Sequence, residues 1–508
     1  MTDYFFHVEA VNFSPTVYDT SDISTIRGGG FYLLDRIKTL AAETPYSSGL
    51  IAEGASKLVF RISLESDKDA DRERKKILEK LYSDWSDEDK CLKEVMFLVA
   101  YVKETENFQE DIARLMGMVR TRQMQNPSVR IFSETLYGGI SGAFDGFNHV
   151  LPAYEYLKGK EKNISKFTFD RRKGGIALRK SIYKKVLDDP GLLEKLDFTD
   201  SLEDLSVDPK QGNLNGKIAY IYIDGNKFGK LQSGFDDRQY SKFDHKINEF
   251  KKELLKELFK LAKGKPWFEN NKKIRLETLL WGGDEIAFIV PAWVGWTVMK
   301  TFYETVEKGN NMILEWDHDK ALTFAMGVVF THHKNPIRNL NAVVRDLAEA
   351  VKNSLDKNCV YNRNKGNRCL YAVLESLEIL PKKYELFAQD IYNAKAENLL
   401  MSLDDMKEIQ ELAHLMEKGF SRGKLYEIAH AWKASGSELK SDSVKKIVAR
   451  GLNTSTLSDK AKDELLIVMK RVTGFDLNLP NGFTENENHG YRFLQLSELY
   501  DYLIWEGK

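Results

Sequence analysis

Short apolar runs alternate along this chain with longer stretches in which apolar residues recur every three or four positions. The first pattern reads as strands and the second as helices. Tyr4–Phe13 is a predicted strand, and Ser21–Ala42 a helix with Ser21 or Asp22 as its N-cap. Gly49–Glu53 and Lys57–Ser63 flank Gly54–Ala55–Ser56 as a hairpin. Lys68–Trp85 reads as a helix, Glu94–Val102 as a strand and Glu106–Met124 as a helix. The order returns further on. Lys217–Asp224 is strand-like and Tyr240–Ala262 helical. Ile274–Trp281 and Ile286–Val290 form a second hairpin, Trp293–Trp316 a helix, Leu322–Thr331 a strand, Asn335–Leu355 a helix and Arg368–Glu375 a closing strand.

The order β-α-β-β-α-β thus occurs twice. It predicts an α+β protein with two ferredoxin-like folds, each a four-stranded antiparallel sheet with helices on one face. Residues 136–214 between them are mixed, with Gly138, Gly139, Gly142 and Gly146 marking loops. Beyond residue 380 the pattern is helical, most clearly over Leu403–Glu417, Gly423–Ala434 and Ser458–Val472, with a loop at Leu479–His489. The expected units are 1–135, 136–214, 215–380 and 381–508.

The length of 508 residues agrees with several cores rather than one. Charged residues are 30% of the chain, yet the net charge is only -1, so any nucleic-acid contact must use a local patch. The best candidate is Lys158–Lys185, with eleven Lys or Arg against two acids and with Phe167, Phe169 and Tyr183 available to stack bases. A solvated helix face explains the same composition. Cys91, Cys359 and Cys369 form no CxxC pair, which argues against a thiolate zinc site and fits the reducing cytoplasm. No signal peptide and no run of 18 apolar residues is found, so no membrane span is expected.

Two segments carry candidate chemistry. The apolar run Ile218–Ile223 ends in Asp224–Gly225–Asn226–Lys227–Phe228–Gly229, and the second hairpin turns through Gly282–Gly283–Asp284–Glu285. Carboxylates delivered at a strand end and at a tight turn suit hard divalent cations over a nucleoside triphosphate. Glycine in the first loop lets backbone N–H groups approach a phosphate, and two glycines at a hairpin tip admit a ligand. Asp284 and Glu285 lie on opposite faces of a regular strand. Alone, the first segment reads more readily as an Asp-Gly turn, and the second less readily as a polar hairpin turn. Their convergence on neighbouring strands favours the functional reading. His332–His333 would point apart on a strand and share no metal.

YIYIDGNKFGKL and LLWGGDEIAFIV resemble the palm domain of GGDEF diguanylate cyclases, class III nucleotide cyclases and, most of all, the large polymerase-like subunit of type III CRISPR complexes. TFAMGVVFTHHKNPIRNLNAVVRDLAEAVKNSL is similar to that family's strand and Pro-initiated helix. SDISTIRGGGFYLLDRI is similar to the helix of its first palm, and MSLDDMKEIQELAHLMEKGFSRGKLYEIAHAW to its C-terminal helical domain. The resemblance implies a nucleotidyltransferase that makes a cyclic oligonucleotide, typically cyclic oligoadenylate, from ATP with Mg²⁺ or Mn²⁺ in antiviral defence. Carried over by position, Asp224 and Asp284 are the metal carboxylates, and Glu285, standing where the CRISPR family has a second Asp, is a ligand or helper base. Gly225, Asn226, Lys227, Phe228, Gly229, Gly282 and Gly283 would line the nucleotide. The family's triphosphate lysine falls by register on Asp356, leaving Lys352 or Lys357 to substitute. Guide RNA and other CRISPR subunits are the implied partners. The sequence departs from many relatives in showing no His-Asp nuclease motif and no cysteine-rich insert. Ala55–Ser56 offers no metal ligand, so the first palm is expected to be catalytically dead, either holding an acceptor nucleotide or serving as a structural partner. A diguanylate- or mononucleotide-cyclase-like enzyme, or an RNA-binding scaffold with a vestigial palm, are the alternatives.

Overall fold

A computed structural model describes the chain except residues 12–16, 19, 21, 55, 84–94, 126–154, 158–159, 163–165, 188–196, 263–264, 266–267, 271–272, 309–311, 357–358, 376–382, 436–440, 480–481, 484–488 and 506–508. Cys91, Ala55, Lys357 and the four loop glycines of the linking region lie outside the described residues.

The N-terminal sheet is built from β1 (Thr2–Val11), β2 (Leu50–Glu53), β3 (Lys57–Leu64) and β4 (Met96–Lys103) in the spatial order β2-β3-β1-β4. Every pairing is antiparallel, with Phe6 opposite both Phe60 and Tyr101. Helices α1 (Ile23–Ala42) and α2 (Asp67–Ser83) cover one face, through Leu33, Ile37 and Ile77. Asp22 caps α1, its carboxylate accepting the Thr25 N–H at 2.9 Å. The helix α3 (Phe108–Gln125) closes the other face with Leu115 and Val119.

The second sheet runs β6-β7-β5-β8-β9, where β5 is Lys217–Gly225, β6 Glu277–Trp281, β7 Ile286–Pro291, β8 Phe324–His332 and β9 Arg368–Leu374. The first four strands are antiparallel to their neighbours, in ferredoxin-like order; β9 is an added edge strand parallel to β8. Two helices were expected on one face only. That face does carry α5 (Asp237–Ala262) and α6 (Ala292–Glu307), but α7 (Ile337–Ser354) packs on the other, with Val344, Leu347 and Val351 against Tyr220 and Val329. The cause is topological: a parallel strand after β8 needs a crossover, and α7 supplies it. Both faces of β5 are consequently buried, and Ile218–Ile223 is an unbroken apolar run. The helix expected over Trp293–Trp316 stops at Glu307; Ile313–Leu314 and Asp317–Ala321 pair as a short ladder instead.

The basic segment forms helix α4 (Lys166–Leu187), which crosses α1 at close range. Glycine permits the crossing: a Cβ on Gly28 would lie 1.7 Å from the Arg171 carbonyl oxygen, and one on Gly175 2.0 Å from that of Ser24. Arg171, Arg179 and Tyr183 are buried here. Arg179 joins Arg27 on Glu277, and the Tyr183 hydroxyl donates to Thr278. The expectation of base stacking by Tyr183 and nucleic-acid contact by Arg171 and Arg179 is therefore corrected; core packing consumes these side chains. The side chains of Phe167 and Phe169 lie outside the described set.

Five C-terminal helices, α8 (Leu403–Glu417), α9 (Arg422–Ser435), α10 (Ser441–Thr454), α11 (Asp459–Thr473) and α12 (Tyr491–Leu503), continue the core below α6. Among the described residues no helix is long and apolar enough to cross a membrane.

Candidate functional site

Asp224 closes the central strand at the end where β7 begins, since Ile223 pairs with Ile286 and Asp224 with Ala325. Ile223 enters the core under α5, so the strand's alternation sends Tyr222 and Asp224 to the α7 face. Lys352, near the end of α7, places its Nζ 2.6 Å from the Asp224 carboxylate, each side chain being 19% exposed. The Tyr222 hydroxyl donates to Glu285 at 2.9 Å, and Arg345 Nη1 lies 3.0 Å from that hydroxyl and 3.5 Å from Glu285. The Arg345 guanidinium also sits over the Tyr222 ring, 4.4 Å from its centroid. Arg345 and Lys352 are seven residues apart, two turns of one helix, and so share a face.

Three carboxylates thus gather at one sheet end. Burial lifts the Asp224 carboxyl to about 6, with Asp284 and Glu285 reinforcing the rise and Lys352 opposing it. Burial, then Glu285 and Asp224, push the Tyr222 phenol far above its ordinary value, so it stays a hydrogen-bond donor. Both acids lie in the turn before β7 begins; Glu285 is engaged by Tyr222 and Arg345, and the Asp284 charge bears on Asp224, Tyr240 and Lys251.

The turn is tight at Gly282, whose N–H donates to the Glu285 carbonyl at 2.7 Å; a Cβ there would lie 2.9 Å from the same oxygen. Gly283 has open space around it. In the other loop Gly225 allows the close approach of Phe228, whose ring would stand 2.5 Å from an added Cβ. Lys227 takes a left-handed φ of 52° and is exposed, as is Gly229. Asn226 and Phe228, expected along the nucleotide, are interior instead. Asn226 Nδ2 donates to Thr323 and to the Gly366 carbonyl, and Phe228 packs edge-on against Phe243 and Phe324.

Among the described residues no three His, Cys, Asp or Glu side chains are gathered tightly enough to hold a metal ion. The donor chemistry fits a hard divalent cation all the same. Asp224, Asp284 and Glu285 offer carboxylate oxygens only; burial chiefly, with the two neighbouring acids adding to it, raises the Asp224 carboxyl, and a bound cation would offset both. The expectation that His332 and His333 point apart on a strand is corrected: β8 ends at His332, and the two rings stack with centroids 4.4 Å apart, His333 Nδ1 contacting the Gly216 carbonyl oxygen.

Sequence reasoning passed over Tyr222, Arg345, Asp244 and Lys251. Tyr222 was legible as the residue two before Asp224 on the same strand face, and Arg345 as a basic residue seven before Lys352.

Residues 217–361 match the family model for the second palm domain of Cas10/Cmr2. No curated protein matches the chain in sequence. Among solved structures, Csm1 of T. onnurineus superposes with a TM-score of 0.55 over 99% of this chain and 70% of its own, at 11% identity. A Csm1–Csm4 cassette in complex with cA4 gives 0.53 over 99% and 70%, at 12% identity. A cassette in complex with AMPPNP gives 0.51 over 98% and 70%, at 12% identity. The chain therefore has a Csm1-like fold, and within it residues 217–361, with the Gly-Gly hairpin and its acids, are similar to the second palm domain of Cas10/Cmr2.

Proposed function

We propose that this chain is the palm-domain nucleotidyltransferase subunit of a type III CRISPR complex, joining ATP into a cyclic oligoadenylate second messenger. The observation that carries the reading is the gathering of Asp224, Asp284 and Glu285 at one sheet end, with Lys352 2.6 Å from Asp224. Divalent cations held by Asp224 and Asp284, with Glu285 in reach, would activate a 3′-hydroxyl and neutralise charge on the α-phosphate and leaving pyrophosphate.

The chain's own groups do the rest. Lys352 offsets the Asp224 charge in the free protein and meets the triphosphate when nucleotide is bound. Tyr222 and Arg345 fix the Glu285 carboxylate, so its extra methylene relative to Asp does not leave it mobile. Gly283 leaves room at the tip for the nucleotide, and the exposed Lys227 stands beside Asp224 for phosphate oxygens. The solved cassettes in complex with cA4 and AMPPNP support ATP as the substrate and a Csm4-like subunit as the neighbour.

Purified chain, incubated with each NTP and Mg²⁺ or Mn²⁺, with and without guide and target RNA, should release pyrophosphate and a cyclic oligoadenylate identified by mass spectrometry. Asp284→Ala should lower this by at least ~100-fold while the fold is retained, because an essential metal ligand is lost. Product from GTP alone would favour a diguanylate-cyclase-like enzyme. RNA binding with no turnover of any NTP would favour a scaffold with a vestigial palm.

A further inference from the structure

Lys251 lies on α5 with its side chain wholly inside the protein, 5% exposed. A buried lysine is costly unless its charge and donors are used, and a methionine of similar volume would pack there without that penalty. Its Nζ donates to the main-chain carbonyl of Gly282 and lies 5.9 Å from the Trp281 ring centroid. Gly282 is the first residue of the turn that carries Asp284, and its N–H is already given to Glu285. Both backbone groups of Gly282 are therefore held, one by the turn itself and one by a side chain from another element.

The lysine is in turn tied to the N-terminal sheet. Burial draws the Lys251 ammonium down to about 8, and the charge that most opposes this is Asp244, seven residues earlier and on the same helix face. Asp244 Oδ2 accepts the Asn248 side-chain amide at 3.1 Å and the backbone N–H of Glu53 at 3.2 Å. Glu53 ends β2, at the hairpin that lacks metal ligands, and pairs with Lys38 of α1 at 3.5 Å. Tyr240, one turn before Asp244, packs edge-on against Phe108 at the start of α3. Asp244 thus bonds the N-terminal hairpin at Glu53, Lys251 bonds the Gly-Gly hairpin at Gly282, and both residues stand on one face of α5.

We propose that Lys251 is a positioning residue that fixes the Gly282–Glu285 turn through its main-chain carbonyl, and that the N-terminal hairpin sets Lys251 through Asp244. This rests on the reading of Asp284 as a metal ligand and gives the first sheet a task that needs no ligand of its own. A turn left without Lys251 keeps its acids but loses the anchor that Lys251 gives its Gly282 carbonyl.

The test is Lys251→Met in the full-length protein, read by hydrogen exchange of the peptide spanning Trp281–Ile286 without nucleotide. Amides of the turn should exchange at least ~10-fold faster than in wild type, a larger change than in the peptides of α6 and the C-terminal helices. In turnover, kcat should fall ~10-fold or more with the KM for ATP within about twofold, as befits a misplaced rather than missing group. Asp244→Asn, which keeps an oxygen for the Glu53 N–H, should show the same loss of protection in smaller measure. It replaces Lys251→Met as the deciding variant if the latter does not fold. Wild-type protection in whichever folded variant decides overturns the proposal. A wild-type chain that makes no product from any NTP would overturn the proposed activity instead, and the exchange result would still judge Lys251.

Discussion

At Asp224 the balance of burial and charge sets a pH dependence. Its carboxyl is raised from 3.8 to about 6, so in the free protein it holds a proton more tightly than an unfolded chain does. The stability this contributes is fully present below about 4 and is lost as pH rises through about 6. Metal binding carries the opposite sign, because the proton must leave first. Mn²⁺ affinity, measured by calorimetric titration between pH 5 and 8, should weaken tenfold per pH unit below about 6. In Lys352→Met the weakening should begin at higher pH, since the charge that lowers the Asp224 carboxyl is removed. Identical profiles for the two proteins would show that Lys352 does not govern Asp224. The acids themselves were readable from sequence because a Gly-Gly pair between two apolar runs has few other uses. Lys251 was not, because a lysine in an amphipathic helix looks the same whether it meets water or a carbonyl from another element.

Among the elements, α7 decides where the site's cations stand. It reaches the sheet closely only because β8 has glycine at position 327: a Cβ there would lie 2.1 Å from the Val344 carbonyl oxygen and 2.8 Å from the Ala348 nitrogen. Both are backbone atoms, so the helix must move rather than a side chain turn aside. Gly327→Ala should cost about 2–3 kcal/mol in chemical denaturation. It should also weaken ATP binding, because Arg345 and Lys352 ride on the displaced helix. A variant with wild-type stability and ATP KM would show that α7 can shift freely, against the packing described. The 3.6-residue pattern of Asn335–Leu355 foretold the helix, and the apolar run of β5 hinted that both its faces were covered. Which face α7 takes depends on the pairing of β9 with β8, a contact across some forty residues that no local pattern records. Likewise the helix expected through Trp316 overran because Trp293–Glu307 is apolar on several sides, which hides the point where its period ends.

Across the whole molecule the two sheets are joined by a buried charge cluster. Glu277 of β6 accepts from Arg27 of α1 at 2.6 and 2.7 Å and from Arg179 of α4 at 2.9 Å, with all three side chains at most 6% exposed. Arg27 Nε also donates to the Gly175 carbonyl, and Arg179 to those of Thr199 and Leu276. One carboxylate therefore pins a helix of the first fold, the basic helix and an edge strand of the second. Removing it strands two guanidinium groups where water does not reach. Glu277→Ala should lose about 3–5 kcal/mol, and the loss should fall on the junction. Calorimetry should then resolve one cooperative unfolding event into two, the N-terminal sheet melting apart from the rest. The cluster is not needed for stability as such. Replacing all three members together, Arg27→Met, Arg179→Met and Glu277→Leu, removes the desolvation cost with the charge and should recover most of the stability. What the triple variant should not recover is the angle between the sheets, because apolar contacts tolerate sliding where a forked guanidinium–carboxylate pair does not. Its turn amides at Trp281–Ile286 should remain less protected than in wild type although its melting point is restored. If protection and turnover return in full with the melting point, the cluster is a stability device alone, and the setting of the two hairpins rests on Lys251 and Asp244.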